Sequence, residues 1–481
     1  MKIEIISKNC IKPSSPTPHH LQFFKLSDQH RRSSDFHSNL TFFYPAHNII
    51  NGVDPTTNFV IKSNRLQQSL SQTLTSYYPF AGRFQNDEII ICNDDGILFI
   101  EAQIDTPICD FLNHPDLMSN THKQLVLTSI NSIDADADAG KTMETSIISK
   151  GYMILVKFIL FSCGGTVIGI SMTHKLADLA SMATFLRNWS ASCRLDSNNI
   201  LPDLHFIGQT IPDPGPNNSS APTSSGYKFS QSCTKEYICK RLSFSASKIE
   251  QLKSKVIDVL EKSEEDDQYS KPSRVDVVVA LIWKSAMHAA ASKSRDQEQN
   301  QKFRPSTMLY SVNIRPRLDP PLTEACIGNL ACQFLMMVEK ESEMELHELV
   351  KKLGAMKHYA DKMGKKFQGD DQQVVVEEII TNVEKERNDF FMKNHKKNAI
   401  FYFCTSFFRF SLLEIDFGWG KPVLVTSPST SEKHLVNTIV LMDSKVDGGI
   451  EAELNLWEEE MSVFECNEEL LQFAIVNPNI I

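Results

Sequence analysis

The sequence predicts a two-domain protein of the α/β or α+β class. The chain has 481 residues, more than one ordinary hydrophobic core accommodates, so two domains are the default expectation. Helical and strand patterns mix along it without a clean βαβ repeat, which favours mixed sheets flanked by helices. The stretch 201–236 is rich in Pro, Asn, Ser and Gly, and we interpret it as the linker between domains 1–200 and 237–481.

The composition restricts the classes of partner. Hydrophobic residues make up 41% and charged residues 22%, as in an ordinary soluble globular protein. The net charge of −10 argues against nucleic acid or an anionic membrane as the main partner. The N-terminus lacks the continuous apolar core of a signal peptide, and the longest strongly apolar run, 152–161, is far short of a membrane span. We therefore expect a cytoplasmic, monomeric protein.

The cysteines and the acidic residues predict no metal site. The 11 cysteines are scattered, and Cys326 and Cys332 do not have zinc-ligand spacing, so we interpret them as reduced thiols. The segment 130–150 alternates Asp with Ala, and one interpretation is a calcium loop. Its later ligands and its final Glu are missing, which favours a solvated surface loop.

The N-terminal half shows clear local patterns. Leu66, Leu70 and Leu74 form the apolar stripe of an amphipathic helix that has to end before Pro79. The predicted elements are a helix over 62–77, a hairpin of strands 156–161 and 166–173 joined by a glycine turn, and a helix over 179–193.

The C-terminal half reads in the same way, with apolar runs of strand length between amphipathic helices. The predicted elements are a strand over 237–244, helices over 247–261 and 275–288, strands over 308–312, 435–441 and 450–456, and a closing amphipathic helix around Met461, Phe464, Leu470, Leu471 and Phe473.

His174 and Asp178 form the most informative local pattern. The His ends an apolar strand and the Asp opens a helix, so an imidazole at the strand end could act as a base. In a chain with 14 histidines this spacing arises by chance roughly once, so a core histidine bonded to a backbone carbonyl is the alternative. Asp178 could orient the imidazole as in a catalytic triad, or turn away and fix the loop through a salt bridge.

A second segment, 416–420, reads Asp-Phe-Gly-Trp-Gly. It is not a Walker phosphate loop, which needs a longer glycine spacing and a following Ser or Thr. Gly418 and Gly420 indicate a tight backbone path. Taken alone, the segment is best interpreted as a turn that packs the Trp419 ring.

Together these segments resemble the plant BAHD acyl-CoA-dependent acyltransferases, which share the His-x-x-x-Asp and Asp-Phe-Gly-Trp-Gly motifs. His174 and Asp178 match the first motif, and 416–420 match the second without a change. The context is most similar to the clade of alkaloid O-acetyltransferases and capsaicin-synthase-like enzymes. Further similar segments are 11–18, 78–83, 92–96, 273–276, 312–315 and the pair Gly328-Asn329.

The resemblance implies an α/β fold of two chloramphenicol-acetyltransferase-like domains, each with a mixed sheet and flanking helices, and an active-site channel between them. His174 would be the general base in a direct transfer without an acyl-enzyme. Asp178 would point away from the channel and pair with an Arg, for which Arg315 is the expected partner. The second motif would lie away from the reacting atoms, as scaffold, through Asp416, Gly418, Trp419 and Gly420.

The resemblance also implies the ligands: acyl-CoA, with acetyl-CoA favoured, as co-substrate and no bound cofactor. CoA contacts are expected at Lys271, Ser273 and Arg274, for which a solvated helix start is the alternative. The acceptor pocket is expected near 405–410, through Thr405, Phe407 and Phe408. Relatives usually carry Trp at position 407 and a smaller residue at 408, so the pocket is reshaped or the core is repacked.

The predicted function is transfer of an acyl group, acetyl favoured, to a hydroxyl of a plant specialised metabolite, with an alkaloid alcohol as the favoured acceptor. Two alternatives stay open. One keeps the chemistry and changes the nucleophile, so that an amine becomes an amide. The other is a catalytically silent paralogue that binds metabolite or CoA without turnover.

Overall fold

The structure is a computed structural model, and it describes most of the chain. The predicted acidic loop over 130–150 and residues 214–236 of the predicted linker lie outside the described residues. We call residues 2–213 the N-terminal half and residues 237–480 the C-terminal half. The described residues are 2–27, 37–46, 54–114, 124–126, 151–196, 198, 200, 203–213, 237–262, 271–295, 303–366, 372–394, 399–428, 437–445 and 448–480.

The N-terminal half contains two sheets and the helices that cover them. Its strands are β1 (Ile3–Ile11), β2 (Phe23–Leu26), β3 (His37–Tyr44), β4 (Arg83–Phe84), β5 (Ile89–Ile91), β6 (Ile97–Ile104), β7 (Ile154–Phe161), β8 (Thr166–Thr173), β9 (His205–Phe206) and β10 (Gly208–Thr210). Its helices are α1 (Pro55–Ser76), α2 (Ile108–Asn113) and α3 (Leu179–Arg194).

The C-terminal half contains the strands β11 (Tyr237–Phe244), β12 (Ser306–Asn313), β13 (Cys326–Ile327), β14 (Ala331–Val338), β15 (Ile400–Ser406), β16 (Leu424–Thr426), β17 (Thr438–Asp443), β18 (Ile450–Trp457) and β19 (Ile475–Val476). Its helices are α4 (Ala246–Leu260), α5 (Arg274–Arg295), α6 (Leu346–Lys366), α7 (Gln372–Asn394), α8 (Glu458–Phe464) and α9 (Glu468–Leu471).

The predicted hairpin lies at the centre of a six-stranded sheet with the order β1-β6-β7-β8-β3-β16. β7 and β8 pair antiparallel, and every residue of both strands is buried, so the continuous apolar run reflects cover on both faces. Gly164, with φ of 86°, makes the turn between them. The hairpin prediction is confirmed.

Helix α1 begins earlier than the apolar stripe indicated. Asp54 caps it by accepting hydrogen bonds from the backbone of Thr56 and Thr57, each at 3.0 Å, and Pro55 occupies the first turn. The predicted start at residue 62 was therefore wrong, although the predicted buried face is confirmed. The signal was the Asp-Pro pair at 54–55, a local start signal independent of the stripe.

The second large sheet has seven strands in the order β14-β12-β15-β17-β18-β11-β19. β12, β15 and β17 run parallel, and the outer pairs are antiparallel. The predicted single closing helix was wrong. The segment forms two short helices, α8 and α9, because Asn467 interrupts the helical pattern. The Asn467 side chain caps α9 by accepting a hydrogen bond from the Leu470 backbone N–H at 2.9 Å.

By length and composition alone, α5 could cross a membrane over Arg274–Ser292. In the fold, 72% of that window is buried inside the protein, as expected of a core helix. Val278, Leu281 and Ile282 are fully buried on it. The sequence argument had considered only the run at 152–161 as a possible membrane span and had predicted a helix over 275–288 here, which the structure confirms.

Strands cross between the halves. β16, from the C-terminal half, pairs antiparallel with β3 in the six-stranded sheet, with Leu424 opposite Phe43 and Thr426 opposite Thr41. β9 pairs with β13, and β10 pairs with β2, so part of the predicted linker forms sheet contacts. The sequence boundaries of the two domains stay a prediction, but the halves are joined by backbone pairing.

The two largest hydrophobic cores meet at β17. Alternate residues of this strand belong to different cores: Ile439 and Leu441 pack in the C-terminal one, and Val440 and Met442 in the N-terminal one. The N-terminal cluster surrounds Phe42, Leu70, Phe185 and Trp189. The C-terminal cluster surrounds Leu281, Trp283, Tyr402 and Leu454. One face of the seven-stranded sheet therefore lies against the N-terminal half.

A buried carboxyl group lies on that same face. Glu453, on β18 opposite Val440, is buried and accepts a hydrogen bond from the backbone of Ser427 at 3.0 Å. Burial raises the pKa of Glu453 from 4.5 to about 7, against the lowering effects of the Ser427 bond and the Arg241 charge. The folded protein therefore favours the protonated carboxyl.

We expect Glu453→Gln to be more stable than the wild type at pH 8 and nearly equal to it at pH 5. Because the folded pKa is raised, the wild type loses stability as pH rises from 4.5 towards about 7, by roughly 3 kcal/mol at about 1.4 kcal/mol per pKa unit. Thermal unfolding of both proteins between pH 5 and 8 measures the difference. Glu250→Gln, at an exposed position of α4, is the control and should follow the wild type. A variant less stable than the wild type at every pH would contradict the expectation.

Candidate active site

His174 follows the last residue of β8 and is partly exposed, whereas the residues on either side of it are buried. Its Nδ1 atom lies 3.2 Å from Nδ2 of Asn329, and its backbone carbonyl accepts a hydrogen bond from that amide at 3.1 Å. Burial lowers the pKa of His174 below its ordinary 6.5, although the Asp178 charge and the His174 backbone carbonyl oppose the shift. The imidazole is therefore neutral near pH 7 and can accept a proton.

Asp178 is the N-cap of α3 and is turned towards the protein interior. Its Oδ1 accepts a hydrogen bond from the backbone of Ser181 at 3.0 Å, and its Oδ2 accepts one from the backbone of Leu330 at 2.9 Å. Within the described part of the chain, the remaining bonds to this carboxylate come from Arg315. The carboxylate is thus occupied by the scaffold and not by the imidazole.

Arg315, from the C-terminal half, forms a bidentate ion pair with Asp178. The Nη1–Oδ2 distance is 2.7 Å and the Nη2–Oδ1 distance is 3.1 Å. Both residues are 3% exposed. Burial acts to raise the pKa of Asp178, but the Arg315 charge and the hydrogen bonds outweigh it, and the pKa lies below its ordinary value. The pair is therefore ionised, and it joins the two halves.

The rest of the guanidinium is also satisfied. Nη2 donates to the Ser181 hydroxyl and to the Gly328 carbonyl, both at 3.0 Å, and Nε donates to the Cys326 carbonyl at 3.0 Å. The Ser181 hydroxyl in turn donates to the Gly328 carbonyl at 2.8 Å and accepts from the Gly328 N–H at 2.9 Å. Residues 326–330 are thereby fixed against the start of α3.

Sequence reasoning missed Ser181 and Asn329 as members of this site. Ser181 had a local signal, because a serine in the first turn after an Asp cap can form polar contacts at the helix start. The only sequence signal for Asn329 was the similarity of the Gly328-Asn329 pair to the family, and that similarity assigned no role to the residue. Its contact with His174 spans 155 residues and has no local sequence signal.

The segment 416–420 forms a tight turn closed by its own Asp. Oδ1 of Asp416 accepts from the backbone of Gly418 at 2.7 Å and of Gly420 at 2.9 Å. Gly418 and Gly420 have φ of 105° and 100°, which favours glycine. A Cβ at Gly418 would also lie 2.9 Å from the Arg65 guanidinium. The turn therefore requires its glycines.

The turn places Trp419 in the N-terminal cluster. Its ring stacks on Phe417 with centroids 5.8 Å apart and packs edge-on against Tyr44 at 6.2 Å. Nζ of Lys62 lies 5.2 Å from the Trp419 ring. The backbone carbonyl of Asp416 accepts a hydrogen bond from Arg194. These contacts are those of a packing turn that leads into β16.

Lys271, Ser273 and Arg274 lie at the start of α5 and do not converge on one point. The Ser273 backbone and hydroxyl donate to Asp276 at 2.9 and 2.7 Å, which closes a capping box. The Arg274 guanidinium donates to the Gly448 carbonyl, and Lys271 is exposed. Lys357, which sequence reasoning missed, pairs with Asp276 at the same helix end.

Thr405, Phe407 and Phe408 lie where the two cores meet. Thr405, near the end of β15, pairs with Val440 on β17. The backbone of Phe407 donates to the Leu441 carbonyl at 2.6 Å, and its ring is buried in the N-terminal cluster. Phe408 packs against the C-terminal cluster instead. The two adjacent rings therefore serve different cores.

Among the described residues, no group of three or more His, Cys, Asp or Glu side chains could hold a metal ion. The available chemistry at the junction of the halves is thus a neutral imidazole beside a buried, ionised pair. Such an arrangement can remove a proton from a hydroxyl or amine and return it to a leaving group.

The crystal structure of vinorine synthase shares this fold of mixed sheets and helices. Residues 1–471 match the model of the Transferase family. The chain therefore belongs to this family, the BAHD acyl-CoA-dependent acyltransferases. The predictions of fold class, family and enzyme class are confirmed.

Individual relatives match over nearly the whole chain. Minovincinine 19-hydroxy-O-acetyltransferase of Catharanthus roseus is 31% identical and covers 98% of both chains. A 17,18-epoxy-17-hydroxycur-19-ene N-malonyltransferase of Strychnos nux-vomica is 31% identical over 98% of this chain and 90% of its own. The crystal structure of vinorine synthase superposes with a TM-score of 0.70 at 26% identity, and the match covers 98% of each chain.

We expect Asp178→Ala and Arg315→Ala each to cost about 3–5 kcal/mol of stability, because either change leaves one charge buried without its partner. The double variant should cost less than the sum of the two. Denaturant unfolding of the three variants measures this coupling. Glu324→Ala is the control, because Arg187–Glu324 also joins the halves, at 2.6 Å, but is solvent-exposed. Its loss should stay within about 1 kcal/mol. Single variants as stable as this control would contradict the expectation.

Proposed function

We propose that this acyltransferase transfers an acetyl group from acetyl-CoA to a hydroxyl of a plant specialised metabolite, an alkaloid alcohol. The observation that carries the proposal is the neutral, partly exposed imidazole of His174 at the junction of the two halves. The O-acetyltransferase of Catharanthus roseus, similar over its whole length, supports the acyl group and the hydroxyl acceptor.

In the proposed mechanism His174 is the general base. We assign the single ring proton of the neutral imidazole to Nδ1, which donates to the His174 backbone carbonyl, and we assign the proton transfer to the other ring nitrogen, Nε2. The acceptor oxygen loses its proton to Nε2 and forms a C–O bond with the thioester carbonyl. The tetrahedral oxyanion then collapses, the C–S bond breaks, and the CoA thiolate takes the proton from the imidazolium. No covalent acyl-enzyme is formed.

The scaffold roles in this proposal follow from the bonding of each group. The Asp178 carboxylate is filled by Arg315, Ser181 and Leu330, so it fixes the loop that carries His174. Asp416, Gly418, Trp419 and Gly420 pack the C-terminal half into the N-terminal core.

The ligand contacts are proposed at two places. The start of α5 carries the cations of Lys271 and Arg274, with Lys357 beside it, and cationic donors suit the phosphates of CoA. For the acceptor, we retain the surroundings of Thr405, Phe407 and Phe408, because they lie where the halves meet.

A second candidate function is N-acylation, favoured by the similar N-malonyltransferase. A screen of alcohol and amine acceptors with acetyl-CoA, malonyl-CoA and longer acyl-CoAs, detected by mass spectrometry, separates the two. Acetyl esters as the main products would support the proposal. Turnover of amines alone would replace it with N-acylation, and binding of acyl-CoA without any turnover would indicate a silent paralogue.

We also propose the oligomeric state, the compartment and the partners: the enzyme is a monomer in the cytoplasm and binds neither nucleic acid nor membrane. Light scattering on the purified enzyme tests the monomer, and imaging of a fluorescent fusion in plant cells tests the compartment. A dimer mass or a labelled organelle would each contradict its part of the proposal.

We expect His174→Ala to remain folded and to lose about 10²–10⁴-fold in kcat, the usual contribution of a general base. Turnover with saturating acyl-CoA measures the loss, and thermal unfolding verifies the fold. The control is His288→Ala, at an exposed position on α5, which should keep normal turnover. Near-normal activity of a folded His174→Ala would remove this residue from the mechanism.

The pH dependence should report the same imidazole. Because burial lowers the pKa of His174 below 6.5, the base stays neutral at pH 7, and activity should fall only as the pH drops below 6.5. The acid limb of kcat/KM, measured at fixed ionic strength, gives its midpoint. A midpoint above 6.5 would contradict the assignment.

A further inference from the structure

A cavity lies within the C-terminal half, between the edge strand β14 and the helices α6 and α7 that pack along it. Its volume is about 410 Å³. Small-molecule sites typically occupy about 300–1,000 Å³. Among the described residues that line it, none belongs to the His174 site or to the places proposed for acetyl-CoA and the acceptor. The cavity is therefore a separate feature of the molecule, large enough for a small ring system.

The walls of the cavity are mainly apolar. β14 contributes buried side chains, and each helix contributes residues spaced three, four and seven positions apart, which lie on one helix face. The apolar lining includes Phe334, Met336, Met356, Val383 and Phe390. Aromatic rings pack well on flat groups, and methionine side chains adapt to irregular shapes. These walls suit an apolar ring system.

The two cations at the cavity already have partners. Lys352 pairs with Glu343 at 3.3 Å. Arg387 pairs with Glu384 at 3.7 Å and donates to Oε1 of Gln333 at 3.0 Å. Neither of the two paired carboxylates lines the cavity. Both positive charges are therefore balanced from outside it.

Glu386, on α7, carries the charge that is not balanced. Its carboxylate accepts a hydrogen bond from the Tyr359 hydroxyl, and among the described residues it pairs with no cation. Burial raises the pKa of Tyr359, and the bond to Glu386 adds to this, so the phenol keeps its proton and acts as the donor. The Tyr359 ring also packs edge-on against Phe334, with centroids 6.0 Å apart. The cavity thus combines aromatic rings with one uncompensated carboxylate.

We propose that this cavity is a second small-molecule site, and that its ligand is an organic cation, a protonated or quaternary amine carried on an apolar ring system. The ring system lies between Phe334, Met356 and Phe390, and the ammonium group lies towards Glu386. Aromatic faces attract such cations, and the carboxylate supplies the opposite charge. An anion would be repelled there, and a neutral hydrocarbon would leave the carboxylate uncompensated. The site goes beyond the proposed acyl transfer and does not depend on the role of His174.

The test uses two probes of similar shape and the full-length protein. N-methylquinolinium is a flat aromatic cation with no hydroxyl or amine hydrogen to acylate, and quinoline is its uncharged counterpart at pH 7.5. We expect the cation to bind about tenfold more tightly than quinoline, because only the cation gains the attraction of the carboxylate and the rings. Isothermal titration calorimetry measures both dissociation constants.

Two substitutions locate the site. Glu386→Gln keeps the shape of the side chain and removes its charge, so the cation should bind about tenfold more weakly while quinoline is unaffected. Ala355→Trp fills the cavity from α6 and should abolish binding of both probes. The matched control is Glu378→Gln, which removes the same charge at an exposed position of α7 outside the cavity and should bind both probes like the wild type. Thermal unfolding verifies that each variant is folded.

The outcomes decide the class of ligand and its place. Equal affinities of the two probes for the wild type, or a folded Glu386→Gln that binds the cation as tightly as Glu378→Gln does, overturn the assignment of an organic cation. Undiminished binding to a folded Ala355→Trp overturns the cavity as the site. If Ala355→Trp does not fold, the comparison of Glu386→Gln with Glu378→Gln still decides.

The result is independent of the proposed mechanism. His174→Ala should bind both probes like the wild type, whatever its turnover, so a failure of the general-base assignment leaves this site untouched. Weaker binding of the cation alone in Glu386→Gln, together with loss of both probes in Ala355→Trp, supports the inference.

Discussion

The buried ion pair between Arg315 and Asp178 is the constraint on which the rest of the site depends. Two charges removed from water are stabilising only when the remaining donors and acceptors are satisfied. Here they are satisfied by the start of α3 and by the segment 326–330. The pair therefore fixes a helix of one half, a loop of the other and the strand end between them. His174 occupies that strand end, so its position is determined by a contact between the halves.

The second motif also joins the two halves, in this case by packing residues of the C-terminal half into the N-terminal half. The turn at Asp416 inserts Phe417 and Trp419 of the C-terminal half into the N-terminal cluster, and β16 then completes the six-stranded sheet. Residues of both motifs therefore form contacts between the two halves. In the proposed mechanism His174 supplies the reacting group, and the other motif residues maintain the junction at which that group is exposed.

Local patterns predicted the parts of the molecule that local physics determines. The hairpin of β7 and β8, the start of α3 at Asp178 and the place of His174 follow from apolar runs, a glycine turn and a helix cap. Pairings between the halves, such as β16 with β3 or β9 with β13, have no local signature, because register between distant segments is decided by packing. Helices α6 and α7 and the contact of Asn329 with His174 were missed, the latter because its partner is 155 residues away.

The pKa values of the buried groups indicate that lowering the pH reduces activity before it destabilises the fold. Asp178 has a bidentate partner, and its pKa lies below 3.8, so the pair stays intact well into acid. Among the described residues, Lys157 donates to the Gln124 carbonyl and pairs with no carboxylate. Burial lowers its pKa to about 7, so this group costs the fold stability below that pH, and the cost is relieved as the pH rises above it. Glu453 behaves oppositely and gains its proton, and with it stability, as the pH falls from about 7 towards 4.5. Acidification across this range therefore favours the folded state at Glu453 while it protonates His174. A loss of activity there reports the imidazole and not unfolding at these three groups.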